Sequence, residues 1–274
     1  MLPHTQYEIA VIGAGNAAEG IVHGLLRRSV LLEDRIIACD PIEQRRRVFE
    51  QRFNVETTDD NRAAVAESFI LLLAIKPQDF HNAVDGFADL IRDDHLAISI
   101  RAGVSTRALE DALPTEKPRV VRAMPNLPAH VGAGMTGLFP GQYASESDLL
   151  RAQRVFEAGG RAIVLEREEL MDAVTAVSGT GPAYFYYFVE AVIAAGEKAG
   201  LTHRQSTLLA TQACLGAARM MIESNDTPAE LRRKVASPAG TTEAAVAAMD
   251  AADVPGLIEA GVLAAWKRSQ ELGR

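Results

Sequence analysis

The sequence predicts a chain of two parts, an α/β domain over residues 1–165 and an all-α domain over residues 166–274. Three observations carry this. Short apolar runs alternate with helix-periodic segments through the first half, as parallel strands covered by helices on both faces would. The first run ends in Gly13-Ala14-Gly15 and leads directly into a helical pattern. From about Glu166 onward no strand pattern is convincing, and long Ala-, Leu- and Met-rich stretches follow instead. The 274 residues suit one large domain or two of ordinary size, and a chain this long buries a core without staples. Hydrophobic residues are 48% and charged residues 23%, a balance that excludes a disordered or fibrous chain.

Tyr7 to Ile12 is the first apolar, β-prone run. Asn16 to Arg28 places Ala17, Ile21, Gly24, Leu25 and Arg28 at helical spacing. Arg35 to Cys39 is a second short run, and Glu43 to Arg52 a polar helix. Phe69 to Ile75 is continuously apolar, as a strand covered on both faces would be. His95 to Ile100 and Arg119 to Met124 repeat that pattern. In the second half, Pro182 to Gly200 puts Phe185, Phe188, Val189, Val192, Ile193 and Gly196 on one helical face, and Ser206 to Ser224 is a second long helix. Thr227-Pro228-Ala229-Glu230 is a capping box with Pro at the first helical position. The helix it opens stops before Ser237-Pro238. Further helices are expected from about Thr242 and from Asp253 to near the end, the last carrying Trp266.

The net charge is −8, from 36 acids and 28 bases, a poor match to sequence-independent nucleic-acid binding, which rests on neutralising phosphates. Cys39 and Cys214 make neither a disulfide framework nor a zinc cluster, and they fit a reducing compartment. Met1 to Glu8 shows no basic region followed by an apolar run, and no run reaches the roughly 18 residues of a membrane span. A cytoplasmic protein without membrane or nucleic-acid partners is therefore expected. The six histidines have no ligand spacing, so no metal is expected.

Gly13-Ala14-Gly15-Asn16-Ala17-Ala18 is a GxGxxA turn between the first strand and the first helix, the context of a Rossmann dinucleotide site. Small residues let the backbone pass close to a pyrophosphate, and the helix N-terminus offers N–H donors. Asp40 follows Ala18 by 22 positions, where an acid binds a ribose 2′-hydroxyl and repels a 2′-phosphate. Arg45, Arg46 and Arg47 follow, either as a phosphate site or as a solvated helix face. Ala74-Ile75-Lys76-Pro77 and Met124-Pro125-Asn126-Leu127-Pro128-Ala129 end apolar strands, on the edge that lines the ligand crevice of an open sheet. Ser178-Gly179-Thr180-Gly181-Pro182-Ala183-Tyr184 and Ser237-Pro238-Ala239-Gly240-Thr241-Thr242 open helices. Spacing alone leaves each of these as a site or a structural cap.

In their order, these five motifs resemble the pyrroline-5-carboxylate reductase family along essentially the whole chain. The resemblance implies a Rossmann domain followed by a helical dimerisation domain that interlocks two subunits and can assemble into a ring of dimers, a decamer. It implies hydride transfer from NADPH or NADH to the ring imine of 1-pyrroline-5-carboxylate, giving proline. It implies cofactor contacts at Gly13, Gly15, Asn16, Ala17, Asp40, Ala74, Lys76, Pro77, Met124, Pro125 and Asn126. Ser237, Gly240, Thr241 and Thr242 would bind the substrate, its carboxylate meeting the N–H groups of the helix start, and the Thr242 hydroxyl would serve the imine nitrogen as proton donor or relay. The chain departs from the family at Leu127 (usually Thr), Ala239 (usually Gly), Arg101 (commonly Ala) and Cys39-Asp40 (Asn-Arg in many members). With Asp40 in that place, NADH is expected to serve at least as well as NADPH. Two alternatives stand beside this reading: a same-fold reductase of another substrate, and a nucleotide-binding paralogue without turnover.

Overall fold

The computed structural model describes residues 5–75 and 79–273. Eight strands form one sheet: β1 (Tyr7–Ile12), β2 (Ile36–Cys39), β3 (Glu56–Thr58), β4 (Ser68–Leu73), β5 (Leu96–Ser99), β6 (Arg119–Met124), β7 (Gly134–Pro140) and β8 (Gly160–Val164). Their order is β3-β2-β1-β4-β5-β6-β7-β8, and every neighbouring pair is parallel except β6–β7. The expected parallel sheet is present, with one antiparallel pair at β6–β7, because residues 125–133 turn the chain straight back beside β6 without a crossover helix. Strand order reverses between β1 and β4, and the C-terminal ends of these two strands flank a crevice.

Alternating side chains of the buried strands feed two cores. Ile9 and Val11 pack with Ile21, Val22 and Leu25 of α1 (Asn16–Arg27) and with Val155 and Phe156 of α6 (Glu146–Glu157). Ala10 and Ile12 face the opposite way, toward Ala64 and Val65 of α3 (Asn61–Ala66) and Leu109 of α5 (Thr106–Ala112). Helices cover both faces, as the apolar runs required. Between α1 and α3 lies α2 (Glu43–Phe53), and α4 (Phe80–Asp85) follows β4.

The contacts group residues through Thr180 with those from Ala265 onward, and residues Gly181–Ala264 form a second unit. This division falls later than the boundary expected near residue 165. The intervening segment is tied to the first unit. Glu168 accepts the Arg122 guanidinium at 3.0 Å, the Thr106 N–H at 2.7 Å and the Thr106 hydroxyl at 2.8 Å. Met171 of α7 (Leu170–Val174) is fully buried. A π turn over Thr175–Gly179 then leads to the second unit.

The second unit contains α8 (Gly181–Lys198), α9 (His203–Glu223), α10 (Pro228–Lys234), α11 (Thr241–Ala251) and most of α12 (Val254–Leu272). Two of these starts have a local cause. Thr202 with Gln205 and Thr227 with Glu230 close capping boxes at α9 and α10. Within this unit large apolar side chains stand exposed, including Phe185, Tyr187, Phe188, Leu208, Ile222 and Leu257. Among the described residues no helix is long and apolar enough to cross a membrane.

Candidate active site

The GxGxxA turn sits at the switch point. Gly13 has φ +101°, and a Cβ there would lie 2.8 Å from the Ala74 carbonyl oxygen. Its N–H donates to the Cys39 carbonyl at 2.8 Å, while the Ala74 N–H donates to the Ile12 carbonyl at 2.9 Å. The ends of β1, β2 and β4 are thereby drawn together around a residue that must lack a side chain. Gly15 is the N-cap of α1 and caps with no side chain, and among the described residues nothing lies within 4 Å of where its Cβ would be. Asn16 and Ala17 are exposed in the first turn. The turn is thus an exposed helix N-terminus without a side-chain cap, the arrangement that receives a phosphate. The residues fit a dinucleotide.

Asp40 stands beside this turn. One carboxylate oxygen accepts the Ala14 N–H at 2.9 Å and the other the Ile42 N–H at 2.9 Å. The three arginines after it divide by role. Arg45 donates to the Asn16 side chain at 3.0 Å, so it reaches the first turn of α1. Arg46 donates to the Asp40 carbonyl at 2.7 Å and lies 3.9 Å from Asp59. Arg47 pairs with Glu43 on the exposed face of α2. Arg45 and Arg47 are both exposed, as a solvated face implies, whereas Arg46 is half-buried against the Asp40 backbone.

Met124, Pro125 and Asn126 end β6. The Asn126 amide is spent on structure at both ends: its nitrogen donates to the Ser178 carbonyl at 3.0 Å, and its oxygen accepts the Met135 N–H at 2.9 Å. It joins the end of β6 to the start of β7 and to the π turn, and so sets the backbone there. Lys76 and Pro77 lie outside the described residues.

In the second unit, residues 237–242 form a turn and a helix start. The Gly240 N–H donates to the Ser237 carbonyl at 2.9 Å, and the Ala239 N–H to Glu243 at 2.7 Å. Gly240 is the N-cap of α11, so Thr241 and Thr242 belong to its first turn. Thr242 is therefore not the cap that its residue type permits. Its hydroxyl donates to the Val235 carbonyl at 3.1 Å. Ala239 has φ +58°, a left-handed conformation that glycine adopts more easily.

Residues 168–272 match the family model described as "Pyrroline-5-carboxylate reductase dimerisation", and residues 8–103 match "NADP oxidoreductase coenzyme F420-dependent". A pyrroline-5-carboxylate reductase of Pseudomonas aeruginosa is 40% identical over 96% of both chains. The chain belongs to the pyrroline-5-carboxylate reductases. Another member, from Methanosarcina acetivorans, is 36% identical over 97% of this chain and 98% of its own. Among solved structures, a pyrroline-5-carboxylate reductase from Coxiella burnetii superposes with a TM-score of 0.90 at 34% identity, covering 98% of this chain and 99% of that one. The Plasmodium falciparum pyrroline carboxylate reductase with NADP bound shares the fold, with a TM-score of 0.88 at 24% identity over 98% and 99% of the two chains.

The structure brings the described residues expected at the cofactor, Gly13 to Ala17, Asp40 and Ala74, to the ends of β1, β2 and β4, with Met124 to Asn126 at the end of β6. It also shows a residue that the motifs did not single out. His130, in the turn after β6, bonds to the backbone of Asn16 at 2.9 Å. The signal in the sequence was Gly20, a glycine in a helix interior, where its entropic cost marks a close approach.

Proposed function

We infer that this protein reduces 1-pyrroline-5-carboxylate to proline, the last step of proline biosynthesis, using NAD(P)H. The observation that carries this is the likeness to named reductases over essentially the full length of both chains, joined to an open helix N-terminus at the sheet's switch point. When bound, the nicotinamide supplies the hydride. The N–H groups of Gly15, Asn16 and Ala17 would hold the pyrophosphate, and Asp40, already fixed by two amides, would accept from a ribose hydroxyl. The Met124–Asn126 turn forms a wall for the nicotinamide ring.

Ser237 and the first-turn N–H groups around Gly240, Thr241 and Thr242 hold the substrate carboxylate. Thr242 serves the ring nitrogen. Because its hydroxyl donates to Val235, its lone pairs accept from the N–H of a protonated ring. Rotating the hydroxyl turns it into a donor to the neutral imine. Positioning does most of the work, since the cofactor brings the hydride chemistry.

NADH serves at least as well as NADPH, because a 2′-phosphate would meet the Asp40 carboxylate. The exposed apolar side chains of the helical unit are covered in a homodimer, and dimers can close further into a ring. Cys39 and Cys214 are both free thiols, which suits the cytoplasm.

The test is NADH or NADPH oxidation on adding 1-pyrroline-5-carboxylate, without added metal, with proline identified as product. Folded protein inactive with both cofactors would refute the reading. A strong preference for NADPH in kcat/KM would refute the assignment to Asp40 alone.

A further inference from the structure

The turn that follows β6 is clamped to α1. It runs through Leu127–Val131 and begins at Asn126, whose amide is fixed to Met135 and Ser178. His130, four positions on, closes the other end. Its Nε2 lies 2.9 Å from the carbonyl oxygen of Asn16. A carbonyl only accepts, so Nε2 carries the proton and donates. The His130 carbonyl in turn accepts from Nδ1 of His23 at 3.0 Å, and His23 stacks on Phe53, ring centroids 6.1 Å apart. Gly20 makes room for the clamp: a Cβ there would stand 2.9 Å from Cδ2 and 3.0 Å from Nε2 of His130.

Asn16 is the first residue of α1, and its neighbours Gly15 and Ala17 carry the open N–H groups. The end of a helix frays unless something outside it fixes the last turn. Here a side chain from the turn after β6 does so.

We propose that His130 is a positioning residue for the dinucleotide. Its imidazole holds the phosphate-facing turn of α1 in register with the Met124–Asn126 turn, so the pyrophosphate and the nicotinamide of one extended ligand meet a preformed site. The proposal rests on the dinucleotide reading above. Without the imidazole, the ligand has to order that turn on binding, and its affinity falls by what the ordering costs.

The test is direct titration of NADH fluorescence, without imine substrate, set beside kcat and the KM for cofactor and for imine. His130→Ala should weaken NADH binding and raise its KM by roughly three- to tenfold, the worth of about one hydrogen bond. The value of kcat at saturating cofactor and the KM for the imine substrate should change little. His130→Gln keeps an N–H donor at similar reach and should restore most of the affinity, whereas His130→Leu should not. Gly20→Ala evicts the ring while favouring the helix intrinsically, so it should weaken NADH binding like His130→Ala. The double variant should be no weaker than either alone. If His130→Ala does not fold, Gly20→Ala and His130→Gln read the same quantity.

Affinity unchanged in His130→Ala, or a Gln variant no better than Ala, would overturn the proposal. So would a loss confined to kcat. Wild-type protein that binds NADH but does not reduce the imine would refute the proposed function and leave this test in force. Wild-type protein that binds neither NADH nor NADPH would overturn both.

Discussion

Gly13 and Gly15 share one motif, and the structure assigns them opposite kinds of importance. Gly13→Ala places a methyl group 2.8 Å from the Ala74 carbonyl oxygen and 3.0 Å from its carbon, at φ +101°. Neither side can yield easily. Gly13 is held by its bond to Cys39, and Ala74 by its bond to Ile12. The unfavourable φ alone costs on the order of 1–2 kcal/mol. The forced separation of two strand ends adds about 1–3 kcal/mol more, the usual scale of overpacking. The sum, about 2–5 kcal/mol, is a large share of the roughly 5–15 kcal/mol that holds a domain together. Gly15→Ala has φ −86° and, among the described residues, no neighbour to strike. It should lose about 1 kcal/mol or less, the difference between glycine and alanine at an N-cap. Its methyl group instead enters the space above the first turn of α1 and should weaken NADH binding. Denaturant unfolding at matched protein concentration gives the first quantity, and cofactor titration the second. If Gly13→Ala unfolds within about 0.5 kcal/mol of wild type, ordinary surface-substitution scatter, the contact argument is wrong.

Other outcomes follow from the same geometry. Thr242→Ala should lower kcat by roughly 10²-fold or more and cost at most about 1 kcal/mol of stability, the worth of its hydrogen bond to Val235, and Thr242→Ser should keep most activity; a fully active Thr242→Ala would remove Thr242 from the chemistry. Ala239→Gly should stabilise the protein by about 1 kcal/mol by relieving a left-handed alanine, and a melting temperature at or below wild type would contradict that. His95 is buried, and burial, followed by the nearby Arg92 guanidinium, pushes its pKa down from 6.5 to about 4. The unfolded chain therefore takes up the His95 proton first as pH falls. Stability from this group is complete above pH 6.5 and declines between there and about pH 4, by about 3 kcal/mol in all. His95→Gln should flatten that limb of a denaturation series, and an unchanged slope would count against it.

Where an element has an apolar run or a cap of its own, the sequence was a good guide. β1 and β6 span Tyr7–Ile12 and Arg119–Met124, the limits their apolar runs suggest, and the Thr227 capping box opens α10. Three strands had no such signal. β3 is Glu-Thr-Thr at the sheet edge, β7 carries two glycines and a proline, and most of β8 is exposed. Each is a strand because a neighbour pairs with it, not because its residues demand it. The phosphate turn was legible because its chemistry is local to one strand–helix junction. The His130 clamp left only Gly20 as a trace, because its partner lies 114 positions away. The residue-165 boundary followed the last strand-like composition, whereas the ties of Glu168, Met171 and Ser178 to the sheet unit are long-range contacts that composition does not record.

The last helix does not end in the unit where it begins. Ser269 is buried and its hydroxyl donates to Asp172 at 2.6 Å, while Gly103 sits so close to the Leu272 backbone that a Cβ would lie 2.8 Å from its carbonyl oxygen. The sheet unit is therefore discontinuous in sequence, with its final piece encoded after the whole helical unit. On the ribosome, residues through Thr180 emerge without the segment that covers Asp172 and Gly103. The sheet unit stays unfinished until the residues from Ala265 onward have been made, and domain-by-domain folding from the N-terminus can deliver only a provisional version of it.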